Sequence, residues 1–218
     1  MSVKNEIKTL EDLNHPNIMR LFEVIDQRSQ VHLVMELCQG MPLYHHIKKL
    51  PNQRFPEHTC KVIFRQLALG LGYMHAKGRS HRDLKLDNVL YEQEQKKIKI
   101  IDFGFSIPSS QQKVSNTVCG TPHYMDPDLS RKTAYNPMAA DVWALGVCLY
   151  IMFVGKLPFF AEFESDLFRR IQTGKYKPVP KELGDSKIRG LLNGIFRIDP
   201  KQRFTADDVL RHEWLQYS

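Results

Sequence analysis

The sequence has few cysteines and no long apolar segment. Its 4 cysteines lie far apart and form no CxxC pair, which is too few for a disulfide framework in a chain of 218 residues. Residues 1–20 contain no apolar stretch of the kind that a signal peptide needs. The longest apolar run, residues 142–154, is shorter than the about 20 residues of a membrane-spanning helix and indicates a buried core helix. We therefore expect an intracellular protein, cytoplasmic or nuclear, without a membrane segment.

Charge of one sign is not concentrated in any segment. The 31 basic and 24 acidic residues leave a net charge of +7, but only short basic runs occur, at residues 48–49 and 169–170. A nucleic-acid-binding stripe needs a denser cluster, so no nucleic-acid partner is expected. With 42% hydrophobic and 25% charged residues, the composition is that of a folded globular protein and excludes disordered and low-complexity classes.

Hydrophobic periodicity predicts an α+β fold whose second part is rich in helices. In chain order the predicted elements are a helix at residues 1–13, a hairpin of strands at 19–25 and 31–37, a long helix that begins at residue 56, strands at 89–91 and 98–101, and helices at 137–154, 163–173, 186–198 and 205–217. A long irregular segment, residues 102–128, separates the second pair of strands from the later helices.

Two short motifs concentrate the chemistry between these elements. Residues 81–88 are HRDLKLDN, and Asp102-Phe103-Gly104 follows the second pair of strands. Phosphoryl transfer needs a carboxylate near the attacking hydroxyl, ligands for a metal and cations for the spreading charge. An ordinary polar loop is the simpler interpretation. It does not explain a match at every specified position of HRDLxxxN together with DFG.

These motifs resemble those of the eukaryotic serine/threonine protein kinase family. The resemblance implies ATP and Mg²⁺ as cofactors and a protein substrate with a serine or threonine acceptor. It makes Asp83 the catalytic base and places Lys85 beside the transferred phosphate. It also makes Asn88 and Asp102 the ligands of Mg²⁺.

The same resemblance assigns the ATP pocket. Glu6 would pair with an ATP-orienting lysine, and the backbone of a hinge segment would meet adenine. Besides Asp102, the residues expected around ATP are Glu6, Met35, Glu36, Cys38 and Leu90. Without the resemblance, Glu6 would be interpreted as a solvated acid and Met35 as a core residue.

The resemblance extends to the segment after the DFG motif. Thr121 would hydrogen-bond the catalytic aspartate and lysine, and Asp141 would hold the backbone of the catalytic loop. Thr117 would be a regulatory phosphorylation site whose phosphate engages Arg82. An unmodified polar loop residue is the simpler interpretation of Thr117.

Two positions depart from the pattern of the family. The usual Ala-Pro-Glu triplet is Asp126-Pro127-Asp128, and His123 stands at a position where glutamate is usual. The side chain of Asp128 is one methylene shorter than that of glutamate. We nevertheless expect Asp128 to form a structural ion pair with Arg203.

Residues 149–155 and 158–160 look most like the calcium/calmodulin-dependent group of kinases. Arginine-directed members of the family carry acidic side chains at positions that are Pro42 and Ile151 here, which leaves Asp87 alone. The resemblance therefore implies a weaker preference for arginine-containing substrates.

Parts of the kinase template are missing from the 218 residues. No GxGxxG motif occurs, and no lysine-bearing strand precedes the helix of Glu6. We expect a kinase-like fold with a complete helical C-lobe, residues 38–218. The N-lobe, residues 1–37, is expected to be reduced to the C-helix and a β-hairpin.

Two hypotheses follow from these missing parts. The first is a serine/threonine kinase whose N-lobe is completed by an N-terminal segment or a partner chain. The second is a catalytically inactive, kinase-like interaction module. The intact Asp83, Lys85, Asn88 and Asp102 favour the first, because a scaffold has no chemical need for a base and two metal ligands.

Overall fold

The structure, a computed structural model, describes residues 3–28, 30–108 and 120–216. The helices in these ranges are α1 Val3–Glu11, α2 Leu43–Lys48, α3 Glu57–Ala76, α4 Pro127–Ser130, α5 Pro137–Val154, α6 Glu164–Thr173, α7 Ser186–Ile195 and α8 Ala206–Arg211. The strands are β1 Leu21–Gln27, β2 Gln30–Met35, β3 Met41–Pro42, β4 Arg79–Ser80, β5 Val89–Glu92, β6 Lys97–Ile100 and β7 Ile107–Pro108. The predicted α+β fold with a helix-rich second part is confirmed.

Helix α5 lies at the centre of the helical part because its sequence is apolar on nearly every side. Asn136 caps its start by accepting hydrogen bonds from the backbone N–H groups of Met138 (3.0 Å) and Ala139 (3.2 Å). Gly155 ends it in the left-handed region, with a φ of 79°. Within the described part of the chain it is the one helix long and apolar enough to cross a membrane, but 83% of it is buried inside the protein. This burial identifies α5 as a core helix.

Helices α3 and α7 pack against α5. The side chains of Ile63, Leu67 and Leu71 on α3 are fully buried, as their spacing along one helix face predicts. A Cβ atom at Gly146 of α5 would lie only 2.3 Å from Ile195 Cγ2, so the missing side chain lets α7 approach closely. The helices therefore form one tightly packed core.

The strands form three small antiparallel sheets, β1–β2, β3–β5–β6 and β4–β7. In the hairpin β1–β2, Gln27 pairs with Gln30, so the strands run further into the turn than predicted. The HRDLKLDN segment connects β4 to β5, and the DFG segment connects β6 to β7. Because β5 pairs with β6 and β4 with β7, both motifs lie on loops whose two ends are held together by strand pairing.

Residues 3–20 join the helical part through the same core. Leu10 and Leu13 are buried in one cluster with the side chains of α3 and α5. The backbone N–H of Met19 donates to the Ile100 carbonyl (2.9 Å), and the Ile100 N–H donates to the Asn17 carbonyl (2.8 Å). These bonds fasten the segment before β1 to the edge of β6.

The hairpin β1–β2 differs from the rest because much of its apolar surface is open. Phe22 and Val31 are 59% and 44% exposed, and Leu37, just after β2, is 87% exposed. A two-stranded sheet buries too little surface to be stable alone. The hairpin therefore depends on its attachment to α1 and to the helical part.

Two C-terminal helices are shorter than the periodicity predicts. Helix α7 stops before residue 198 because the Gly194 carbonyl, which would accept from the Ile198 N–H in a longer helix, accepts instead from the Phe204 N–H (3.1 Å). The Arg203 guanidinium donates to the carbonyl oxygens of Arg197 and Ile198 (2.9 and 3.2 Å), which holds the chain after the helix. Helix α8 ends before His212, which is extended (φ −66°, ψ 138°) and whose ring accepts from the Trp214 N–H. Apolar spacing continues across both breaks, so the hydrophobic pattern alone did not reveal them.

Candidate active site

The loop at residues 81–88 brings a carboxylate, an amine and an amide together. Lys85 Nζ donates to Asp83 Oδ2 (2.7 Å) and to Thr121 Oγ1 (3.2 Å). Asn88 Nδ2 donates to Asp83 Oδ2 (3.1 Å) and to the Asp83 carbonyl (2.9 Å). The Thr121 hydroxyl lies 3.5 Å from Asp83 Oδ1. Asp83 is buried and needs such polar partners, and the contacts predicted for Thr121 are present.

Asp141, near the start of α5, holds the backbone of this loop. Its two carboxylate oxygens accept hydrogen bonds from the N–H groups of His81 and Arg82, both at 2.8 Å. Arg82 has a φ of 70°, a conformation that is unfavourable for a residue with a side chain. The bonds to Asp141, which the sequence predicted, therefore stabilise a strained turn just before Asp83.

His75 is a further part of this support that sequence reasoning missed. It lies in the last turn of α3, and its Nε2 is 3.1 Å from Asp141 Oδ2. A histidine at the end of a helix is a weak sequence signal, because it is equally typical of a favourable contact with the helix dipole.

Asp102 follows β6 in the left-handed region, with a φ of 65°. Its Oδ1 accepts from the Gly104 N–H (3.3 Å), and the neighbouring Phe103 side chain is buried. The Ile101 N–H donates to the Asn88 carbonyl (2.9 Å), which fastens the DFG segment to the loop at residues 81–88. The structure thus brings the segments of Asn88 and Asp102 side by side.

The side chains on these two segments fit Mg²⁺. Asp102 supplies carboxylate oxygens and Asn88 an amide oxygen, and Mg²⁺ prefers oxygen ligands of this kind. Asn88 directs its amide nitrogen towards Asp83. Of the described residues none donates to its amide oxygen, which is left available to an ion.

Glu6 lies near Asp102 and Phe103. Burial raises the pKa of its carboxyl group and the negative charge of Asp102 raises it further, while a hydrogen bond from the Phe103 backbone acts in the opposite direction. No residue of the described ranges forms an ion pair with Glu6. A cation placed between Glu6 and Asp102 would favour both ionised carboxylates.

The hinge residues assemble only in part as predicted. Glu36, Cys38 and Leu90 line one cavity of about 230 Å³. Glu36 Oε2 accepts from Lys99 Nζ (2.7 Å) at its wall. Met35, which is 41% exposed on the hairpin, does not line this cavity. Burial, followed by the charge of Glu36, raises the pKa of the Cys38 thiol, which keeps it protonated at neutral pH.

The predicted ion pair between Asp128 and Arg203 is wrong. Arg203 Nη1 donates instead to Asp126 Oδ2 (2.9 Å), and both side chains are buried, at 0% and 1% exposure. Asp126 is the N-cap of α4 and also accepts from the Leu129 N–H (2.9 Å), so its carboxylate points into the protein. Asp128 lies within the helix and pairs with Arg131 at i+3 (3.1 Å).

Arg203 has several partners besides Asp126. It donates to the carbonyl of Ala139 (2.8 Å), and its guanidinium carbon lies 5.0 Å from the centre of the Trp143 ring. These contacts tie the start of α4 to α5 and to the segment before α8. The sequence did carry a signal for this arrangement, because Asp126 adds an acid where the family usually has alanine.

The predicted regulatory pair of Thr117 and Arg82 lies only partly in the described chain. Thr117 is outside the described residues, so its role stays a prediction. Arg82 Nε donates to the Tyr135 hydroxyl (2.7 Å), and Nη1 donates to the Phe105 carbonyl (3.4 Å). Tyr135 was not predicted, because it is 53 positions away from Arg82 and belongs to no motif.

Comparison with known proteins agrees with this geometry. The protein kinase domain family matches residues 1–215. Sperm motility kinase 3A of Mus musculus is 39% identical over 213 residues, which cover 98% of this chain and 41% of that protein. Maternal embryonic leucine zipper kinase of Xenopus laevis is 35% identical over 217 residues, or 99% of this chain and 33% of that protein.

A third relative is calcium/calmodulin-dependent protein kinase type 1 of Caenorhabditis elegans. It is 38% identical over 219 residues, which cover 98% of this chain and 62% of that protein. The chain thus spans less than two thirds of the length of each of these three curated relatives.

Proposed function

The chain belongs to the protein kinase family, and from this premise we propose that it transfers the γ-phosphoryl group of ATP to serine and threonine side chains of proteins. The cluster of Asp83, Lys85, Asn88 and Thr121 carries the proposal, because it places a cation and two further hydrogen-bonding groups within 3.5 Å of the Asp83 carboxylate. The names of the relatives, all kinases, support it.

Asp83 Oδ1 is the atom best placed to accept the proton of the substrate hydroxyl. Asp83 Oδ2 already accepts from Lys85 and Asn88, whereas Oδ1 has the Thr121 hydroxyl, at 3.5 Å, as its one hydrogen-bonding partner in the described chain. As the hydroxyl oxygen bonds to the γ-phosphorus, its proton passes to Asp83 and the bond to the leaving oxygen of ADP breaks. Lys85 would stabilise the negative charge on the transferred group.

The remaining site residues would position ATP. Asn88 and Asp102 would hold Mg²⁺, which neutralises phosphate charge when bound. The hydrogen bond from Gly104 keeps the Asp102 carboxylate turned back over its own loop. Glu36, Cys38 and Leu90 would meet the adenine end.

We propose further that residues 1–37 and 38–218 form the smaller and larger lobes of an intracellular kinase, and that an N-terminal segment or a partner chain completes the smaller lobe. Three observations support this completion. The 218 residues contain no GxGxxG motif. In the described chain Glu6 has no cationic partner, although its carboxylate is partly buried beside Asp102. Phe22 and Leu37 expose apolar surface that a further strand would cover.

The test uses the chain joined to the N-terminal kinase segment of a relative that carries the Gly-rich loop and the lysine. Transfer of phosphate from ATP to a serine peptide is measured with and without Mg²⁺. We expect Asp83→Asn to lower the rate by about 10²-fold or more, since a general base contributes about 10²- to 10⁴-fold.

The matched control is Glu94→Gln, because Glu94 is an exposed acid in the turn between β5 and β6. It should leave the rate unchanged. Undiminished transfer by Asp83→Asn would refute the assignment of the base. No transfer by the completed chain would refute the proposed activity and favour a non-catalytic interaction module.

A further inference from the structure

A groove of about 1040 Å³ leads away from the candidate site. Thr121, whose hydroxyl contacts Lys85 and Asp83, lies in its wall. From there the groove passes between α2 and the segments that precede and follow α6. A polypeptide lying in the groove would therefore have one of its residues beside Asp83.

The groove is strongly basic. Among the described residues, five cationic side chains line it, and all are exposed: Lys48, Lys156, Arg170, Lys175 and Lys177. In the same part of the chain, Asp87 is the one residue of the lining that carries a carboxylate. His123 adds no positive charge at neutral pH, because burial lowers its pKa.

These cations are not neutralised by the protein. None of the five forms an ion pair with a residue in the described ranges. Lys48 donates to the uncharged Gln53 Oε1 (3.0 Å) and lies 5.3 Å from the centre of the Tyr44 ring. Five like charges around one groove repel one another, and a negatively charged occupant would relieve that repulsion.

The wall between the cations is aliphatic as well as aromatic. Ile47, Ile151 and Leu157 contribute apolar side chains to the same lining. Aliphatic pockets beside charged groups suit the alternating side chains of an extended peptide. The lining also contains the aromatic rings of Tyr44, Tyr124, Phe160 and Tyr176. The bases of a single-stranded nucleic acid stack on such rings along a basic track, so the experiment below includes an oligonucleotide as the competing ligand.

We propose that this groove binds an acidic peptide segment, one rich in aspartate, glutamate or phosphorylated residues on either side of the phosphoacceptor. The inference rests on the proposed function, because it identifies the bound peptide as the substrate. It goes beyond the weak arginine preference expected from Pro42 and Ile151, because the cations that line the groove favour acidic residues, which the absence of two acids alone would not do.

Binding is measured first, on the 218-residue chain without ATP or Mg²⁺, by fluorescence anisotropy. Three labelled peptides share one length, one central serine and the same apolar residues, and their flanking residues are acidic, neutral or basic. We expect the acidic peptide to bind about tenfold tighter than the neutral one at low salt, since several exposed ion pairs, each weak alone, act together. The preference should shrink as salt rises.

The variant that tests the groove is Lys156→Glu combined with Lys175→Glu. It should weaken binding of the acidic peptide by about tenfold and improve binding of the basic peptide, since both contacts change sign. The control is Lys181→Glu combined with Lys201→Glu, two exposed lysines outside the lining that change the net charge equally. Near-ultraviolet circular dichroism verifies that both variants are folded.

Three results would overturn the inference. The first is equal affinity for the three peptides. The second is an equal loss of affinity for the acidic peptide in the groove and control variants. The third is a single-stranded oligonucleotide of matched charge that binds as tightly as the acidic peptide and depends equally on Lys156 and Lys175. Phosphorylation by the completed chain separates this inference from the proposed function. Binding of the acidic peptide while no peptide is phosphorylated contradicts the activity alone, whereas efficient phosphorylation of basic peptides with no acidic binding contradicts the groove's preference alone.

Discussion

The hairpin β1–β2 and the helices α3 and α5 bury their apolar side chains to very different degrees. Phe22 and Val31 on the hairpin are 59% and 44% exposed, whereas Leu67 on α3 and Leu149 on α5 are 0% exposed. Full burial of one such side chain contributes about 1.5 to 3 kcal/mol. The free energy of unfolding therefore comes mainly from the helical part.

The candidate active site draws on both regions. Asp83 and Asp141 belong to the packed part, where hydrogen bonds of 2.8 Å from the loop backbone to Asp141 hold the turn just before Asp83. Glu6 and Met35 belong to residues 1–37, which pack more loosely and are called the sparse side below. Here Glu6 has no cationic partner in the described chain, and Met35 is open to solvent. We infer that the acceptor side of the site is pre-formed, and that the orientation of ATP depends on further structure.

The largest expected effect concerns the sparse side. We expect the 218 residues alone to transfer phosphate more slowly than the completed chain, by about 10² to 10³ for each of two absent charge-stabilising elements, the lysine and the Gly-rich loop. The measurement compares Mg²⁺-dependent transfer by the two proteins at equal concentration. Robust transfer by the 218 residues alone that Asp102→Ala abolishes would contradict this prediction.

The next largest effect concerns two ion pairs in the packed part, one buried and one more exposed. Arg203→Met leaves the Asp126 carboxylate buried without its cation, and the free energy of unfolding should fall by about 3 to 5 kcal/mol. Asp128→Ala, which removes the more exposed pair with Arg131, should cost no more than about 1 kcal/mol. Urea unfolding measures both. Similar losses of the free energy of unfolding in the two variants would contradict the Arg203–Asp126 pair and support a pair of Arg203 with Asp128.

A third prediction compares the two regions directly. Leu67→Ala on α3 should lower the free energy of unfolding by about 2 to 5 kcal/mol, because it leaves a cavity in the core. Phe22→Ala on β1 should change it by no more than about 0.5 kcal/mol in the 218-residue chain. A large loss from Phe22→Ala in this chain would show that the hairpin surface is already covered, by self-association for example, which sedimentation would detect.

The smallest effect is a pH dependence on the sparse side. The pKa of Glu6 is raised above its ordinary value of 4.5 in the folded protein, so the folded state keeps a proton that the unfolded state has already lost. The free energy of unfolding therefore falls as the pH rises from about 4.5 through the raised pKa, and Glu6→Gln should remove this fall. Urea midpoints from about pH 4 to about pH 7 test it. Glu23→Gln, at an exposed acid on β1, is the control and should keep the wild-type profile.

Local sequence patterns predicted most elements and the chemistry of the loops. The apolar spacing of Ile63, Leu67 and Leu71 predicted α3, and the resemblance of HRDLKLDN and DFG to kinase motifs implied a shared site for Asn88 and Asp102. The ends of helices were predicted less well where residues distant in the sequence form hydrogen bonds with backbone groups. No local pattern predicted the end of α7, because the Gly194 carbonyl that would have continued the helix accepts from the Phe204 N–H instead.

The sequence by itself determined the order of helices and strands, the burial of α5 and the match of the HRDLKLDN loop to a known motif. Such features depend on interactions over a few residues, namely backbone hydrogen bonds, caps and the period of the apolar face. Only the tertiary structure decided that Arg203 meets Asp126, 77 positions away, rather than Asp128. It alone also brought Lys48, Lys156 and Lys175 to one groove, because packing of distant segments sets which side chains become neighbours.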